Sequence, residues 1–509
     1  MNSDSVLRFK HLLFLLVVFL YFFNLGLNQV WQPNESFYAD ASKNMLKSGD
    51  FLTPVYNGEV RLNKPPMTYW LTALSFFLFG INEFALRFFQ ALAGLGTALL
   101  TYLMGRKLWD ERAGVLSFLA LALSFQFIAN SRYTSPEVLL TFFITLSIYL
   151  WHRYYESKSA LAFFLALNAS ALAVLTKGPV GFVMPSLIIF LYLLLIDRKE
   201  LLKLRYYTGT LYVALVSGWW FLYQYINNRD AFLEVFIKEN IKRVYAMQSD
   251  PIYFYLLDIN VSFLPYSFIF FIAFAWTLKS SREKLALPLV WFFSFLVVFS
   301  LVKMKLPLYI MPAFPAMAVL LGAFLSSGAW KKAVLFSSLF ISLLALVGVW
   351  VLAFLFSLNL PILLVSSLAC IGFLLRKNFS LAPAGAGFGL LLYLSGALLP
   401  VVEEHRPYRN IGKKISEIDP SGEMRTYEVG AFHYNLPFYA DRVILRNAPP
   451  ESIKPPALVL VRENLIECKG VHSWKLYKGS ESKFFKFLRD IKRGKNFHDF
   501  KLCIFNTDM

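Results

Sequence analysis

Residues 11–27 read HLLFLLVVFLYFFNLGL, a predominantly apolar run that is long enough to cross a lipid bilayer as one helix. A bilayer core of about 30 Å takes roughly 20 apolar residues in helical form. Comparable runs recur up to residue 401, near 84–105, 113–130, 138–152, 159–176, 179–196, 207–226, 253–278, 285–302, 307–326, 333–356, 360–375 and 383–401. The sequence therefore predicts a mostly α, polytopic membrane protein of about thirteen transmembrane helices.

The composition also indicates a membrane protein. Of the 509 residues, 57% are hydrophobic and 16% are charged, and the mean hydropathy is +0.53. Soluble domains carry roughly 25% charged residues. The net charge of +18 does not indicate nucleic acid, because the positive residues lie in short loops between apolar runs. Cys370, Cys468 and Cys503 are too few for a disulfide framework and lack metal-site spacing.

The loop charges predict the orientation. Arg8 and Lys10 precede the first run and no small-residue cleavage site follows it, so we expect an uncleaved first helix. With the N-terminus in the cytoplasm, every inner loop receives several positive charges, as the positive-inside rule requires. The chain is then expected in the cell inner membrane as a multi-pass protein. Its outer, periplasmic segments are residues 30–83, 227–252 and 402–509.

The outer segments differ from the membrane part in their patterns. In the first loop, YADASKNMLKSGDFL predicts an amphipathic helix at the membrane surface. In the tail, strands are predicted at RTYEVGAF, RVILRN, ALVLVREN and SWKLYKG, and a helix at SKFFKFLRDIKRG. The tail is therefore expected to form a small α/β domain. No internal repeat is evident, which weakens the case for a transporter built from inverted repeats.

Polar residues gather at the outer surface in this topology, namely Asn34, Glu35, Lys64, Glu137, Lys177, Glu239, Arg243 and Lys305. Each has a structural explanation. Glu137 follows Ser135-Pro136, a typical helix start, and Lys177 precedes Gly178-Pro179, a typical helix end. The lysines can also extend to the membrane surface. Together, however, carboxylates and cations beside apolar helices indicate an anionic partner.

Six stretches resemble motifs of one enzyme family. They are NESFYADASKNMLKSGDFLTPVYNGEVRLNKPPMTYWL (34–71), SPEVLLTFF (135–143), LTKGPVGFVMP (175–185), FIKENIKR (236–243), KLPLYIMPAFPA (305–316) and LPFYADRVI (436–444). In order and approximate spacing, they are similar to the bacterial GT-C glycosyltransferases, the family of lipid A aminoarabinose transferase and protein mannosyltransferases. The resemblance implies a transmembrane catalytic domain in residues 1–401 and an extracytoplasmic domain in residues 402–509.

The resemblance further implies transfer of a sugar from a polyprenyl-phosphate donor to an envelope acceptor such as lipid A or its phosphates. The leaving phosphate needs cations, and the matching basic positions are Lys64, Lys177, Arg243 and Lys305. Glu35 and Glu137, with Asn34 beside Glu35, stand where carboxylates would orient or deprotonate the acceptor. On the same basis, substrate binding is assigned to Tyr38, Asn57, Glu239, Asn240 and Tyr309.

Two positions depart from the family pattern. The usual first Asp of the first loop is Asn34 here, and an amide is not a general base. Glu35 or Glu137 then takes that role, or the acceptor is a phosphate that needs no base, or the activity is lost. Family members often carry Glu before the KPP motif and His in the second outer loop, where this chain has Asn63 and YAMQSDPIY. These differences argue against a divalent metal site of that kind, and no cofactor is predicted.

Two other functions fit part of the pattern. A protein O-mannosyltransferase would use a Ser or Thr hydroxyl that needs a base, and Asn34 counts against it. A lipid transporter or flippase would carry charges or Gly/Pro-broken helices at mid-membrane, whereas the charges here lie at one face. The expected partners are a polyprenyl-phosphate sugar donor, a lipid or glycolipid acceptor and the membrane, without nucleic acid.

Overall fold

The computed structural model describes residues 4–238, 250–446, 449–468 and 470–506. Helices dominate the first 403 residues. They are α1 (Asp4–Arg8), α2 (Lys10–Phe22), α3 (Asn34–Ser48), α4 (Met67–Phe79), α5 (Glu83–Leu108), α6 (Glu111–Ala122), α7 (Phe125–Ser131), α8 (Pro136–Ser157), α9 (Ala160–Lys177), α10 (Val180–Ile196), α11 (Leu204–Asn227), α12 (Arg229–Ile237), α13 (Phe254–Ser262), α14 (Ser267–Ser280), α15 (Ala286–Leu301), α16 (Phe314–Ser327), α17 (Lys331–Leu355), α18 (Leu360–Leu375), α19 (Ala382–Tyr393) and α20 (Leu399–Glu403). A short hairpin, β1 (Val55–Tyr56) and β2 (Glu59–Val60), interrupts them.

Many of these helices have the length and composition of membrane spans. Five described helices pass this test: α5, α9, α17, the segment Pro307–Ser327 that ends in α16, and the segment Ala382–Glu403 that contains α19 and α20. α6 and α7 together are a sixth candidate, and six shorter apolar helices have 10–17 residues. The mostly α membrane fold is thus confirmed, while the number of about thirteen spans stays a prediction.

Two of the predicted spans are broken rather than continuous. The run 113–130 divides at Ser124, whose backbone is extended, and α6 and α7 are bent by 68°. The run 253–278 divides between α13 and α14 around Pro265, because proline has no amide hydrogen to continue a helix. The two breaks meet, since the Phe125 amide donates to the Leu264 carbonyl at 2.8 Å. This hydrogen bond pairs a backbone amide at one break with a backbone carbonyl at the other, so both groups have a partner.

The centre of the membrane part is α16. Every residue from Phe314 to Leu325 is buried in the protein. Gly322 allows this helix to approach α6 closely, because a Cβ atom at Gly322 would lie only 2.1 Å from the Ser117 Oγ. The helices around α16 therefore form a packed interior, not merely a set of lipid-facing spans.

The tail contains a five-stranded sheet. Its strands are β3 (Arg425–Val429), β4 (Ile444–Arg446), β5 (Ala457–Arg462), β6 (Gly470–Tyr477) and β7 (Phe497–Phe505), in the order β4-β3-β5-β7-β6. β3 runs parallel to β4 and β5, and β7 runs antiparallel to β5 and β6. Three helices accompany it, α21 (Tyr408–Ile418), α22 (Leu436–Ala440) and α23 (Phe484–Arg493). The four predicted strands and the predicted helix α23 are confirmed, whereas β7, α21 and α22 were not predicted.

The tail sheet carries one disulfide, between Cys468 and Cys503, whose Cα atoms are 6.2 Å apart. Cys503 lies in β7 and Cys468 follows β5, so the bridge joins neighbouring parts of the sheet. Cys370 is buried and free in α18. The sequence analysis judged three cysteines too few for a disulfide framework. Two of them pair nevertheless, because the sheet brings Cys503 in β7 beside the chain that leads into β6.

The helix predicted at the membrane surface is present as α3, and the tail covers part of it. α3 buries nine residues, among them Lys43. The Lys43 ammonium donates to the Phe438 carbonyl at 2.6 Å and lies 2.9 Å from the Asp441 carboxylate. Since both partners belong to the tail, this side of α3 packs against the tail. The position of the helix at the membrane surface stays a prediction. The tail folds over α3 and supplies the polar groups that water would otherwise provide.

A buried ion pair joins the first outer loop to α5. The Arg87 guanidinium donates to both Glu35 carboxylate oxygens, at 2.8 and 2.7 Å, and both side chains are almost fully buried. Arg87 also donates to the backbone carbonyls of Leu25, Asn28 and Gln29. Glu35 in turn accepts the Trp31 and Thr134 amides at 2.9 and 3.0 Å. The pair thus connects the end of α2, the first loop, α5 and the segment before α8.

We expect Arg87→Ala to lower the free energy of unfolding by about 3–5 kcal/mol, because it leaves the Glu35 carboxylate buried without its cation. Arg106→Ala, on the exposed end of the same helix, is the control and should cost less than about 1 kcal/mol. Thermal unfolding of the purified protein in detergent measures both. Equal midpoints for the two variants would contradict the structural role assigned to Arg87.

A second buried pair lies in the tail. The His433 ring contacts the Glu428 carboxylate through Nδ1, and the His433 amide donates to the other Glu428 oxygen at 2.8 Å. Burial opposes a charge on the ring, but the Glu428 carboxylate outweighs it and raises the pKa of His433 above its usual 6.5. The protonated ring is therefore stabilised in the folded tail.

This pair predicts a pH-dependent stability. The pKa of His433 is raised on folding, so the pair contributes fully to the free energy of unfolding below pH 6.5. This contribution is lost as the pH rises through the pKa that His433 has in the folded protein. The difference in unfolding midpoint between the wild type and His433→Gln should therefore shrink from mildly acidic to alkaline pH. His472→Gln, at an exposed position in β6, is the control and should show a constant difference. A constant difference for His433→Gln as well would contradict the assignment.

Candidate functional site

Four of the predicted site residues line one cavity, here called the lysine cavity. Its volume is about 410 Å³, and its polar wall contains Asn63, Lys64, Glu137, Lys177 and Tyr309. The remainder is apolar and largely aromatic, with Leu62, Leu140, Val180, Val183, Met184, Trp220, Phe221, Phe232, Val235, Phe236, Phe295, Val298, Phe299, Val302, Leu308 and Pro312 among the lining residues. Cations and one carboxylate thus share a site with low local polarity.

Helix ends place these side chains. Glu137 lies in the first turn of α8 after Pro136, where its charge complements the helix dipole. Lys177 is the last residue of α9, and Gly178 follows with a positive φ of 87°, a conformation that glycine adopts without strain. Ser135 occupies the expected N-cap position of α8, but its hydroxyl makes no capping hydrogen bond. The two helix ends therefore meet at the wall of the lysine cavity.

Glu137 and Lys177 form an ion pair. The Lys177 ammonium donates to Glu137 Oε1 at 3.0 Å, and the two side chains are 13% and 12% exposed. The same ammonium lies 4.8 Å from the centre of the Tyr309 ring, within the range of a cation–π contact. This geometry holds the carboxylate as an anion beside a cation that faces an enclosed space.

An apolar groove continues from the lysine cavity along the membrane helices. It lies between α10 and α15, has a volume of about 720 Å³, and shares Val298 with the lysine cavity. Its lining is almost entirely aliphatic and aromatic, with Leu187, Leu191, Leu194, Leu195, Ile196, Ala286, Leu289, Val290, Phe293 and Val297, and it reaches Arg282 and Glu283 at its far end. We call it the α10–α15 groove. A long hydrocarbon chain matches such a surface.

Asn34 lines a different cavity. This tail cavity of about 680 Å³ lies between the end of α2, α7, the segment 391–399 and the chain at the start of α23. Asn34 is exposed there, and Leu308 lines both cavities. Because Asn34 and Glu137 do not line the same cavity, the structure separates two residues that the sequence analysis placed in one catalytic set.

Three further predicted site residues are engaged elsewhere. Glu35 is buried against Arg87 and lines neither cavity, although Arg87 itself lines the tail cavity. Asn57 is paired with the backbone of Ile444 in β4, by hydrogen bonds of 3.0 and 2.8 Å. The Lys305 ammonium donates to the Val302 and Asp250 carbonyls at 2.7 and 2.9 Å and does not line the lysine cavity. Each of the three side chains is thus engaged by other groups of the chain, and none of them lines the lysine cavity.

Tyr38 packs against Tyr69, with ring centres 4.9 Å apart, and burial raises the pKa of Tyr38. Its phenol therefore stays protonated as a hydrogen-bond donor. The predicted residues Glu239, Asn240 and Arg243 lie outside the described residues. Within the described residues, no three His, Cys, Asp or Glu side chains converge in a geometry that could hold a metal ion.

The sequence analysis missed Arg87 and the aromatic wall of the lysine cavity. Arg87 could have been noticed, because it is a charged residue near the start of an apolar run, where such residues usually have a specific partner. The wall residues Trp220, Phe232 and Phe295 come from three different helices and carry no local signal. In a chain with 52 Phe and 11 Trp, composition does not distinguish a cavity wall from a lipid-facing surface.

The chain is similar in sequence to known proteins. The model of the dolichyl-phosphate-mannose-protein mannosyltransferase family matches residues 6–233. An uncharacterized protein of Aquifex aeolicus (strain VF5) is 56% identical over 97% of this chain and 99% of its own. The undecaprenyl phosphate-alpha-4-amino-4-deoxy-L-arabinose arabinosyl transferase of Pseudomonas aeruginosa (strain LESB58) is 34% identical over 60% of this chain. That match spans 58% of the length of the Pseudomonas enzyme.

The fold is similar to a solved structure over nearly its whole length. The crystal structure of ArnT from Cupriavidus metallidurans bound to undecaprenyl phosphate superposes with a TM-score of 0.77. The likeness covers 93% of this chain and 97% of that one, at 22% sequence identity. The similarity therefore includes both the membrane helices and the tail.

Proposed function

We propose that this chain, which resembles the GT-C membrane glycosyltransferases of the ArnT and protein mannosyltransferase type, glycosylates a phosphate group of an envelope glycolipid such as lipid A. The sugar comes from a polyprenyl-phosphate donor bound at the lysine cavity, on the periplasmic face of the cell inner membrane. The observation that carries this proposal is the Lys177–Glu137 pair, held beside Lys64 in an otherwise apolar cavity.

The lysines suit the leaving group. In the transfer, an acceptor oxygen forms a bond to the anomeric carbon of the sugar while the bond from that carbon to the donor phosphate oxygen breaks. The polyprenyl phosphate leaves with the electron pair and gains negative charge. Lys64 and Lys177 stabilise that charge, and their effect is large because the cavity wall is apolar.

The α10–α15 groove suits the donor lipid. It shares Val298 with the lysine cavity, so a chain with its phosphate at Lys64 and Lys177 can continue between these two helices. No polar side chain of the groove other than Ser294 intervenes among the described residues until Arg282 and Glu283 at its far end. A lipid-linked donor is therefore favoured over a soluble nucleotide sugar, whose polar base would find few partners here.

The state of Glu137 favours a phosphate acceptor. A carboxylate that is already paired with a lysine ammonium is a weak base, and Asn34 is not a base at all. A phosphate acceptor is already an anion and carries no proton that must be removed before attack. In this proposal Glu137 orients Lys177 and the sugar and does not accept a proton.

The periplasmic orientation is supported by the tail. The Cys468–Cys503 disulfide belongs to the same side as the lysine cavity, and stable disulfides are typical of oxidising compartments such as the bacterial periplasm. The loops of the opposite side carry the excess of Lys and Arg that marks the cytoplasm.

A second candidate is a protein O-mannosyltransferase, which the family model over residues 6–233 favours. Its acceptor would be a Ser or Thr hydroxyl, whose proton must be taken up as the new bond forms. Glu137 is the carboxylate of the lysine cavity and would be that base. The two candidates therefore differ in what they require of Glu137.

Lys64→Ala should lower the turnover number by about 10²–10³-fold, as expected for the loss of one group that stabilises developing charge. The measurement is transfer of radiolabelled sugar from a series of polyprenyl-phosphate donors to lipid A by the purified protein. Lys303→Ala, at an exposed position on the same side, is the control and should retain full activity. Normal turnover of Lys64→Ala would exclude the lysine from phosphate binding.

Glu137→Gln separates the two candidate functions. The amide keeps the size of the side chain and accepts a hydrogen bond from Lys177, but it is not a base. With a phosphate acceptor we expect turnover within about tenfold of the wild type, whereas the loss of a general base costs about 10²–10⁴-fold. The assay compares lipid A with a Ser/Thr-containing peptide as acceptor. If the turnover of Glu137→Gln with lipid A fell by about 10²–10⁴-fold, this result would contradict transfer to a phosphate.

A further inference from the structure

Arg61 is a cation of the first outer loop that lacks a counter-charge. Its guanidinium lies over the Phe37 ring, 3.5 Å from the ring centre. Its Nε is buried without a hydrogen-bond partner, and in the described part of the chain no carboxylate forms an ion pair with Arg61. Folded proteins pair nearly all of their buried polar atoms. The unpaired nitrogen therefore indicates a place where a ligand oxygen can accept a hydrogen bond from the guanidinium.

The carboxylates of the same segment are already engaged. Each acidic side chain of residues 30–83 accepts a hydrogen bond from another group of the chain. The pairs are Glu35 with Arg87, Asp40 with the Asn57 amide, Asp50 with the Leu52 amide, Glu59 with Arg446, and Glu83 with Arg409. Glu137, in the lysine cavity, is paired with Lys177 in the same way. An ammonium group on a ligand would thus meet the Arg61 cation and find these carboxylates already in use.

Arg61 lies next to the lysine cavity. The three residues that follow it, Leu62, Asn63 and Lys64, all line that cavity, and three residues of chain span at most about 11 Å. The Tyr38 phenol is within electrostatic range of both sites. Burial raises the pKa of Tyr38 and Glu137 raises it further, whereas Arg61 opposes the rise. A sugar whose phosphate is bound at Lys64 is therefore within reach of the Arg61 guanidinium.

Aromatic rings fix the position of Arg61. The Phe37 ring beneath the guanidinium makes edge contacts with Tyr56 and Tyr434, at 4.8 and 5.5 Å between ring centres. The Tyr56 hydroxyl donates to the Tyr434 carbonyl at 2.9 Å, which ties this part of the first loop to the tail. A guanidinium stacked on a ring keeps its N–H groups free at the edge of its plane. Arg61 is thus a preorganised donor.

We propose that Arg61 selects the transferred sugar by charge, so that the sugar offers Arg61 an oxygen, as a hydroxyl or a carboxylate, and carries no ammonium group there. The guanidinium donates to such an oxygen, whereas a protonated amine would face a like charge. The sugar then differs in class from the 4-amino-4-deoxy-L-arabinose that the name of the Pseudomonas relative contains. This inference rests on the proposed function, because it concerns the sugar of the donor bound at the lysine cavity.

The test compares two donors that differ at one position of the sugar. Undecaprenyl-phosphate-linked L-arabinose carries a hydroxyl at C4, where the 4-amino-4-deoxy sugar carries an ammonium group. Binding of each donor to the purified protein in detergent is measured directly, so the result is independent of transfer and of the acceptor. The wild type should bind the hydroxyl form at least about tenfold more tightly, because like charges in contact are strongly unfavourable. Arg61→Glu should lower this ratio to about one or below, and Arg61→Lys should keep it.

Two comparisons separate sugar selection from other roles of Arg61. Arg229→Glu is the control, because Arg229 is an exposed arginine stacked on Tyr225 that lines neither cavity, and it should keep the wild-type ratio. Arg61→Gln should weaken the arabinose donor more than it weakens undecaprenyl phosphate without a sugar. Equal weakening of both arabinosyl donors and of undecaprenyl phosphate would assign Arg61 to the phosphate and overturn the inference. Unfolding midpoints of all variants are compared first, so that a loss of binding is not a loss of fold.

A second pair of donors, carrying glucose or glucuronic acid, identifies the oxygen. Tighter binding of the acid supports a carboxylate at Arg61, and equal or tighter binding of glucose supports a hydroxyl. If the wild type binds the 4-amino form as tightly as the arabinose form, or more tightly, the inference is wrong and the proposed function stands. If the predicted preference is found but no donor gives transfer to lipid A, the result contradicts only the proposed function.

Discussion

The buried pair of Glu35 and Arg87 is the interaction on which the outer face of this protein depends. Four separate segments meet at it: the end of α2, the first outer loop, α5 and the residues before α8. Each contributes a backbone group or a charge to this pair. Because a buried charge is tolerated only with its counter-charge and hydrogen bonds in place, the four segments are held in one arrangement.

This arrangement gives two neighbouring carboxylates different roles. Glu35 uses both oxygens on Arg87 and on two backbone amides, so it holds structure. Glu35 accepts the amide of Thr134, in the segment that leads into α8. The same segment places Glu137, at the start of α8, in the wall of the lysine cavity. The proposed function accordingly assigns the contact with substrate to Glu137 and not to Glu35.

The tail completes the outer face. Arg406 donates to the carbonyls of Gln29 and Val30 at 3.0 and 2.8 Å and pairs with Glu481, and Tyr439 joins the Val30 amide to Glu83. These contacts are buried and partly charged, so the tail is fixed on the first loop. The start of α23 is thereby held against the membrane helices as a wall of the tail cavity.

The sequence by itself determined the membrane location, most helices, four of five tail strands and the family, because apolar runs, alternating patterns and motif order are local properties. It also identified Lys64, Glu137, Lys177 and Tyr309, which line one cavity. Only the tertiary structure decided that Glu35 is locked by Arg87, that Asn57 and Lys305 hold backbone, and that Asn34 faces a second cavity. The physical reason is that burial and ion pairing depend on which distant segments meet. Glu35 and Arg87 are 52 residues apart, and no local pattern records that contact.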